Sequence, residues 1–140
     1  MSAILVDAGP LVALLDRSDS WHDQCQESLS TLSDSLVTVW PVISEAMHLL
    51  RFSWEAQASL WEWLETGSVT VLPLMKDDMM RMKELMRKYR DLPMDLADAA
   101  LVCVAEREKI RRVFTIDRKG FNVYRPSRLG RFLLIPDVRR

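Results

Sequence analysis

The amino-acid sequence predicts an α/β fold in which a parallel β-sheet is flanked by helices. The main observation is that five short apolar runs alternate along the chain with longer segments of helical periodicity. Each run stops at a Pro or an Asp, which favours strands over pieces of buried helix. Strands that alternate with helices form βαβ units, and such units build a parallel sheet covered on both faces.

The five apolar runs are each four or five residues long and rich in Val, Ile and Leu. They are Ala3–Val6, Leu36–Trp40, Val69–Leu72, Arg112–Ile116 and Phe132–Ile135. Side chains of this kind fit the pleated, buried surface of a central strand. The sequence therefore predicts five strands.

The segments between the runs have the spacing of helices. Pro10 suits the first position of the first helix, because proline needs no hydrogen-bonded N–H there. The five tryptophans are expected to anchor the core or an interface. Further helices are predicted over residues 20–34, 41–65 with a break near Arg51–Trp54, Lys76–Tyr89, and Asp95–Glu106, which is apolar on nearly every side.

Length and composition narrow the class of protein. The 140 residues are 49% hydrophobic and 28% charged, which predicts one globular domain over residues 1–140. No apolar run approaches the roughly 18 residues of a membrane span. The first residues lack the basic region of a signal peptide, and two cysteines form no zinc or disulfide pattern. We expect a cytoplasmic protein without membrane association.

Charge is distributed unevenly along the chain. Residues 1–106 contain 8 Lys and Arg against 17 Asp and Glu, a net charge of −9. Residues 107–140 contain 11 against 3, a net charge of +8. A basic end favours a polyanion or an acidic partner, although these side chains could equally solvate loops and pair with carboxylates elsewhere.

Four carboxylates are predicted to meet at one edge of the sheet. Asp7 ends the first run and Asp117 follows the fourth. Glu45 lies in the first turns of the helix after the second strand, and Asp98 lies at the start of the buried helix. Open parallel sheets bind their ligands outside the carboxyl ends of the strands, so these four are candidate site residues.

A carboxylate cluster repels itself unless its pKa values rise or a cation binds. Oxygen ligands without Cys or His favour Mg²⁺ or Mn²⁺ over zinc. Such an ion retains positions for water and phosphate oxygens, which suits metal-assisted hydrolysis of a phosphodiester. The acidic set therefore favours this chemistry.

Structural roles are also open to these acids. Asp7 could form a turn before a Gly-Pro pair, and Asp117 could begin a turn toward Gly120. Glu45 could be favoured by the dipole of its helix. Asp95 has the position of a helix N-cap, which we favour over metal ligation. Asp98 lies within an otherwise buried helix, where an unpaired carboxylate is costly, so a functional role is favoured.

Four segments together resemble the acidic motifs of PIN-domain ribonucleases. They are Val6–Asp16, Val42–Glu45, Leu92–Ala100 and Val113–Phe121, and they occur in the usual order and at the usual spacing, so that the resemblance extends over nearly the whole chain. The small size resembles the VapC-type toxins of bacterial and archaeal toxin–antitoxin pairs. The resemblance implies a PIN-like three-layer fold with a five-stranded parallel sheet.

The resemblance also implies an activity and partners. It implies an endoribonuclease dependent on Mg²⁺ or Mn²⁺, with RNA as substrate, a cognate antitoxin protein and a homodimeric state. Asp7, Glu45, Asp98 and Asp117 would be both the catalytic and the metal-binding residues. Thr115 would be a supporting hydroxyl, with Asp95 in a supporting position.

Basic residues follow the last acidic motif. Arg118 and Lys119 come directly after Asp117, so we expect them at the rim of the acidic site. A pocket of carboxylates repels a phosphate backbone, and binding must therefore use cations around it. Together with Arg125, these residues are candidate contacts for RNA or for an acidic antitoxin segment.

Two other enzyme classes place aspartates at strand ends, and neither fits. Dehalogenase-like phosphatases need Asp-x-Asp after the first strand, whereas Asp7 is followed by Ala8 and Gly9. Response-regulator receivers need an acidic pair after the first strand, and no such pair precedes Asp7. The remaining alternative is a catalytically silent PIN-fold module that binds RNA or protein, and an intact set of four acids argues for catalysis.

Overall fold

Five parallel strands form a single sheet, as the sequence predicts. The computed structural model describes residues 2–136. Its strands are β1 (Ala3–Val6), β2 (Ser35–Thr38), β3 (Val69–Val71), β4 (Arg112–Phe114) and β5 (Leu133–Ile135). Their order across the sheet is β3-β2-β1-β4-β5.

Seven helices connect the strands within residues 2–136. They are α1 (Ala8–Leu15), α2 (His22–Ser30), α3 (Trp40–Leu49), α4 (Trp54–Thr66), α5 (Asp78–Lys88), α6 (Leu96–Glu108) and α7 (Arg118–Val123). The break predicted within the helical segment 41–65 is confirmed by the gap between α3 and α4. None of the helices in residues 2–136 has the length and apolar character needed to cross a membrane.

The direction of chain progression reverses at β1. Ile4 of β1 pairs with Leu36 of β2 on one side, and Leu5 of β1 pairs with Val113 of β4 on the other. The chain thus builds β2 and β3 outward from one side of β1 and returns to add β4 and β5 on its other side. The crevice of an open parallel sheet lies at such a switch point, so it falls between the carboxyl ends of β1 and β4.

Both faces of the central strands are covered. Ile4, Leu5 and Val6 are fully buried although neighbouring side chains of a strand point to opposite faces. Helix α6 is buried along its whole middle, from Ala97 to Ala105, as its composition predicts. Asp98 lies in this buried helix and Asp7 directly follows the buried strand β1, so the positions of both residues are fixed by the core.

Several predicted element boundaries are wrong, and two of the differences have a clear local cause. The second strand ends at Thr38 rather than Trp40, because Pro41 occupies the first turn of α3 and the helix begins one residue before it. Helix α1 begins at Ala8 rather than Pro10, because the Asp7 side chain accepts the Ala8 N–H and caps the helix. The first predicted strand matches β1, whereas the strands predicted at 69–72, 112–116 and 132–135 are longer than the observed ones by one or two residues at an end.

Helix α7, six residues directly after Asp117, is not predicted from the sequence. Phe121 in the helix and Tyr124 just after it pack inward, but a helix this short contains too few turns to show a periodic pattern. The segment where a turn toward Gly120 was considered is therefore helical.

Candidate active site

Five carboxylates surround one pocket at the carboxyl ends of β1 and β4. The pocket has a volume of about 200 Å³, and we call it the acidic pocket. Its other lining residues among those described are apolar or glycine, with no Lys or Arg. The carboxylates are the four candidates predicted from sequence, Asp7, Glu45, Asp98 and Asp117, together with Asp95.

Asp7 is buried and held at both carboxylate oxygens. Its Oδ1 accepts the backbone N–H of Ala8 at 2.9 Å, and its Oδ2 accepts the hydroxyl of Thr115 at 3.0 Å. The Thr115 hydroxyl in turn accepts the backbone N–H of Asp117 at 3.0 Å. Asp7 at the end of β1 and Asp117 after β4 are thereby tied to one hydroxyl group.

Asp98 is also buried, and its surroundings come from two segments. The Asp95 carboxylate accepts the backbone N–H of Asp98 at 2.8 Å, so Asp95 is the N-cap of α6 as predicted. The hydroxyl of Tyr124 donates to Oδ2 of Asp98 at 2.7 Å. Sequence reasoning missed Tyr124, because a lone tyrosine in a basic segment carries no signal of a contact 26 residues away.

Glu45 and Asp117 are exposed at the mouth of the acidic pocket. Glu45 lies in the second turn of α3, where Pro41 sets the start of the helix. Exposed carboxylates at the mouth can move toward a ligand, whereas the two buried ones cannot. Of these four carboxylates, Asp7 and Asp98 are therefore fixed, whereas Glu45 and Asp117 can adjust their positions.

Burial and mutual repulsion raise the pKa of three carboxylates. Burial is the main cause for Asp7, with a further contribution from Asp117 and Asp95. Burial also raises the pKa of Glu45, to which Asp7 adds. The pKa of Asp98 rises to about 7, again chiefly through burial. The pocket thus concentrates negative charge that nothing within its described lining compensates.

A close approach of two chain segments narrows the pocket. A Cβ atom built on Gly9 would lie 2.5 Å from Cγ1 of Ile116. Only glycine leaves room for this contact between the first turn of α1 and the segment after β4. Both residues line the acidic pocket, so their contact holds Asp7 and Asp117 near each other.

The donor set fits a hard divalent cation. Carboxylate oxygens are the ligands that Mg²⁺ and Mn²⁺ prefer, and an uncompensated acidic pocket gains from a positive charge. Among residues 2–136, no three Asp, Glu, His or Cys side chains are close enough to hold a metal ion as they stand. Because Mg²⁺ usually keeps several water ligands, a site with one or two direct carboxylates suits it.

The three basic candidates lie in different surroundings. Lys119 lines a small cavity of about 70 Å³ that shares Asp98 and Asp117 with the acidic pocket. Arg118 instead lines a cleft of about 600 Å³ with Arg111 and Arg131, and two of its guanidinium nitrogens are buried without a hydrogen-bond partner. Arg125 donates to the carbonyl of Asn122 at 2.7 Å and so caps the end of α7.

Fold and site together define an α/β protein with an acidic pocket at the switch point of a five-stranded parallel sheet. The chain belongs to the PIN domain family, whose model matches residues 4–125. The sequence-based assignment to this family is thereby confirmed.

Individual relatives agree with this assignment. The chain is 28% identical over 135 residues to ribonuclease VapC26 of Mycobacterium tuberculosis. The matched residues cover 95% of this chain and all of that protein. The fold is similar to M. tuberculosis VapC20, described as a sarcin-ricin loop cleaving toxin, with a TM-score of 0.75, 18% identity, and coverage of 82% of this chain and 90% of that one. It is also similar to VapBC2 from Rickettsia felis, solved with a DNA fragment from its promoter, with a TM-score of 0.63, 13% identity, and coverage of 94% and 96%.

Proposed function

We propose that the protein is an endoribonuclease that depends on Mg²⁺ or Mn²⁺ and acts as the toxin of a toxin–antitoxin pair. The observation that carries the proposal is the convergence of Asp7, Glu45, Asp98 and Asp117 on one pocket with no cation in its described lining. Its similarity to VapC26, a ribonuclease, supports the reaction class. We further propose that the substrate is RNA and that the protein acts in the cytoplasm.

The four carboxylates have different roles in the proposed hydrolysis. Asp7 and Asp98 are buried and anchored by hydrogen bonds, so they suit the task of holding the ion. When bound, a divalent ion neutralises phosphate charge and makes a water more acidic. Glu45 is exposed at the mouth, and its raised pKa suits a carboxylate that accepts a proton from the attacking water. Asp117, also exposed, completes the set of acidic ligands.

Basic side chains supply the attraction that the acidic pocket lacks. Lys119 is the nearest candidate, because its cavity adjoins the pocket. Arg118 would hold a more distant phosphate in the neighbouring cleft, which it lines together with Arg111 and Arg131. Arg125 is also exposed and would add a further positive charge. These three contacts would position RNA, or an acidic segment of the antitoxin.

An exposed apolar surface on α3 and α4 suits a protein partner. Of the five tryptophans, Trp40, Trp54 and Trp61 are exposed rather than in the core, and the Trp40 and Trp61 rings lie 6.5 Å apart. Exposed Leu49 of α3 also lines the acidic pocket. Large exposed apolar side chains mark protein interfaces. A cognate antitoxin that docked on this apolar surface would reach the acidic pocket and block it. In a homodimer, the second copy of the chain would bind another part of the same surface.

Cleavage of total RNA by the purified chain, free of antitoxin, tests the proposal. We expect cleavage with Mg²⁺ or Mn²⁺, none with chelator, and a loss of at least 100-fold in Asp7→Asn, since the ion activates water. Glu62→Gln, which removes an exposed acid on α4 away from the pocket, is the matched control and should cleave normally.

Several outcomes would contradict the proposal. Undiminished cleavage in chelator would exclude the metal, and full activity of Asp98→Asn would exclude the assigned pocket. Tight RNA binding without cleavage under any metal condition would favour the silent binding module. A search of the genomic sequence for a short reading frame that overlaps this gene upstream tests the antitoxin, and the product of such a frame should suppress cleavage when co-purified.

A further inference from the structure

Tyr124 is buried behind the acidic pocket and touches one of its carboxylates. Its side chain is 1% exposed, and its hydroxyl lies 2.7 Å from Oδ2 of Asp98. The ring packs edge-on against Tyr89 and Phe121, with centroids 5.0 and 5.2 Å away. These contacts hold the ring in one orientation, and the hydroxyl is therefore aimed at Asp98 by the core.

A glycine in α7 makes room for this arrangement. A Cβ atom on Gly120 would lie 2.8 Å from the Tyr124 hydroxyl oxygen and 3.0 Å from the ring carbon that carries it. Glycine inside a helix is less favourable than alanine, because it loses more conformational freedom on folding. The short helix tolerates this cost, and the tyrosine one turn later can lie against its backbone and reach Asp98.

We propose that Tyr124 is a positioning residue that prepares Asp98 to bind the divalent ion. This inference rests on the metal role proposed above for the acidic pocket. The hydroxyl donates to Oδ2 and so fixes the orientation of the Asp98 carboxylate that would hold the ion. A carboxylate whose orientation is already fixed loses less conformational freedom when it binds an ion.

The expected effect follows from the behaviour of groups that orient metal ligands. Loss of such a partner typically weakens metal affinity by about 10–100-fold. Tyr124→Phe removes only the hydroxyl and keeps the ring that packs against Tyr89 and Phe121. We therefore expect Mn²⁺ to bind Tyr124→Phe about 10–100-fold more weakly than it binds the unchanged chain.

Titration calorimetry with Mn²⁺ on the full chain measures this directly, without any RNA. Tyr89→Phe is the matched control, because it also removes a tyrosine hydroxyl, which accepts the backbone N–H of Arg125 at 3.0 Å and touches no carboxylate. It should bind Mn²⁺ within about twofold of the unchanged chain, since the hydrogen bond that it loses joins a hydroxyl to a backbone N–H, and such a loss lowers stability without changing a carboxylate contact. Gly120→Ala, which displaces the hydroxyl and keeps the tyrosine, should weaken Mn²⁺ binding as Tyr124→Phe does.

The outcomes separate this proposal from the one on which it rests. If the unchanged chain does not bind Mn²⁺, the metal role of the pocket is wrong and the role of Tyr124 is wrong with it. If the unchanged chain binds Mn²⁺ and Tyr124→Phe binds it equally well, only the role of Tyr124 is overturned. Equal losses in Tyr124→Phe and Tyr89→Phe would also overturn it, because general loosening of the core would then be the cause.

Discussion

The hydroxyl of Thr115 donates a 3.0 Å hydrogen bond to Oδ2 of Asp7 and joins the ends of β4 and β1 across 108 residues of sequence. The same hydroxyl accepts the backbone N–H of Asp117 at 3.0 Å. Thr115 is fully buried, so water cannot replace either contact. One side chain therefore sets the distance between two of the acids in the pocket.

Thr115→Val should weaken Mn²⁺ binding by about 10–100-fold, because it removes the group that orients Asp7. It should also lower the free energy of unfolding by about 1–3 kcal/mol, since a buried acceptor and a backbone donor lose their partner. Calorimetry with Mn²⁺ and urea unfolding without metal measure the two effects separately.

Thr38→Val is the control for this change. Thr38 is also fully buried, and its hydroxyl donates to the Val6 carbonyl at 2.8 Å without touching a carboxylate. It should lose similar stability and keep its Mn²⁺ affinity, whereas Thr115→Ser should restore binding. Equal metal affinities in Thr38→Val and Thr115→Val would mean that Thr115 has no specific role at the site.

The raised pKa of Asp98 predicts how stability depends on pH when metal is absent. Burial raises this pKa to about 7 from an ordinary value of 3.8. Between these two values the folded protein holds a proton that the unfolded chain has released, so stability falls as pH rises from about 4 to 7. Above pH 7 both states are ionised, and the contribution stays constant.

Asp98→Asn should therefore flatten this part of the curve. The variant should be roughly 1–3 kcal/mol more stable than the unchanged chain at pH 8 in chelator, because a buried charge is removed and the amide oxygen can still accept from Tyr124. Urea unfolding from pH 4 to 8 measures the difference. Glu62→Gln, an exposed change, should follow the unchanged chain, and an Asp98→Asn curve that did the same would show that Asp98 carries no burial cost.

Gly9→Ala should disturb the pocket through Ile116. The new methyl would lie 2.5 Å from Cγ1 of Ile116, so the Ile116 side chain must shift, and we expect the segment that leads to Asp117 to shift with it. We expect a loss of about 1–3 kcal/mol in stability from overpacking, together with weaker Mn²⁺ binding. The double variant Gly9→Ala with Ile116→Ala should recover much of the metal affinity. If the loss of Mn²⁺ affinity in the double variant equalled the sum of the losses in the two single variants, the contact between residues 9 and 116 would not be the cause of the weaker binding.

The five strands and the acidic set can be predicted from sequence because each depends on local patterns. Asp7 and Asp117 stand directly after apolar runs, and the parallel geometry of βαβ units brings such positions to one edge. The spacing of Asp95 to Asp98 predicts a helix cap, and the bond from the Asp98 N–H to the Asp95 carboxylate agrees with that.

Features that depend on tertiary contacts could not be predicted in this way. Tyr124 reaches Asp98 only because the short helix α7 turns its ring inward, and six residues are too few for a helical pattern. Arg118 follows Asp117 immediately, yet it lines a different cleft from the acidic pocket, because consecutive residues at the start of a helix point about 100° apart. Proximity in sequence thus predicted the location of Lys119 better than that of Arg118.

The basic residues after Asp117 predict a specific salt dependence of RNA binding. Each phosphate that a cation neutralises releases condensed counterions and contributes about −0.7 to the slope of log K against log salt for a single strand. Arg118→Ala with Lys119→Ala should therefore weaken binding of a single-stranded RNA and flatten this slope by about 1.4. Mn²⁺ affinity should be nearly unchanged, because neither residue belongs to the carboxylate set.

Lys76→Ala with Lys83→Ala is the matched control for these two cations, since both lysines are exposed in the α5 region and their loss changes the net charge by the same amount. If only net charge attracted RNA, the two double variants would lose affinity equally at low salt and show the same slope. If Arg118 and Lys119 contact phosphates directly, only their variant should have the flatter slope, because counterion release depends on contacts and not on total charge. Fluorescence anisotropy with Asp7→Asn as the background, so that RNA stays intact, measures both slopes between 50 and 300 mM salt. An unchanged slope in the Arg118 and Lys119 variant would mean that RNA reaches the acidic pocket along another surface.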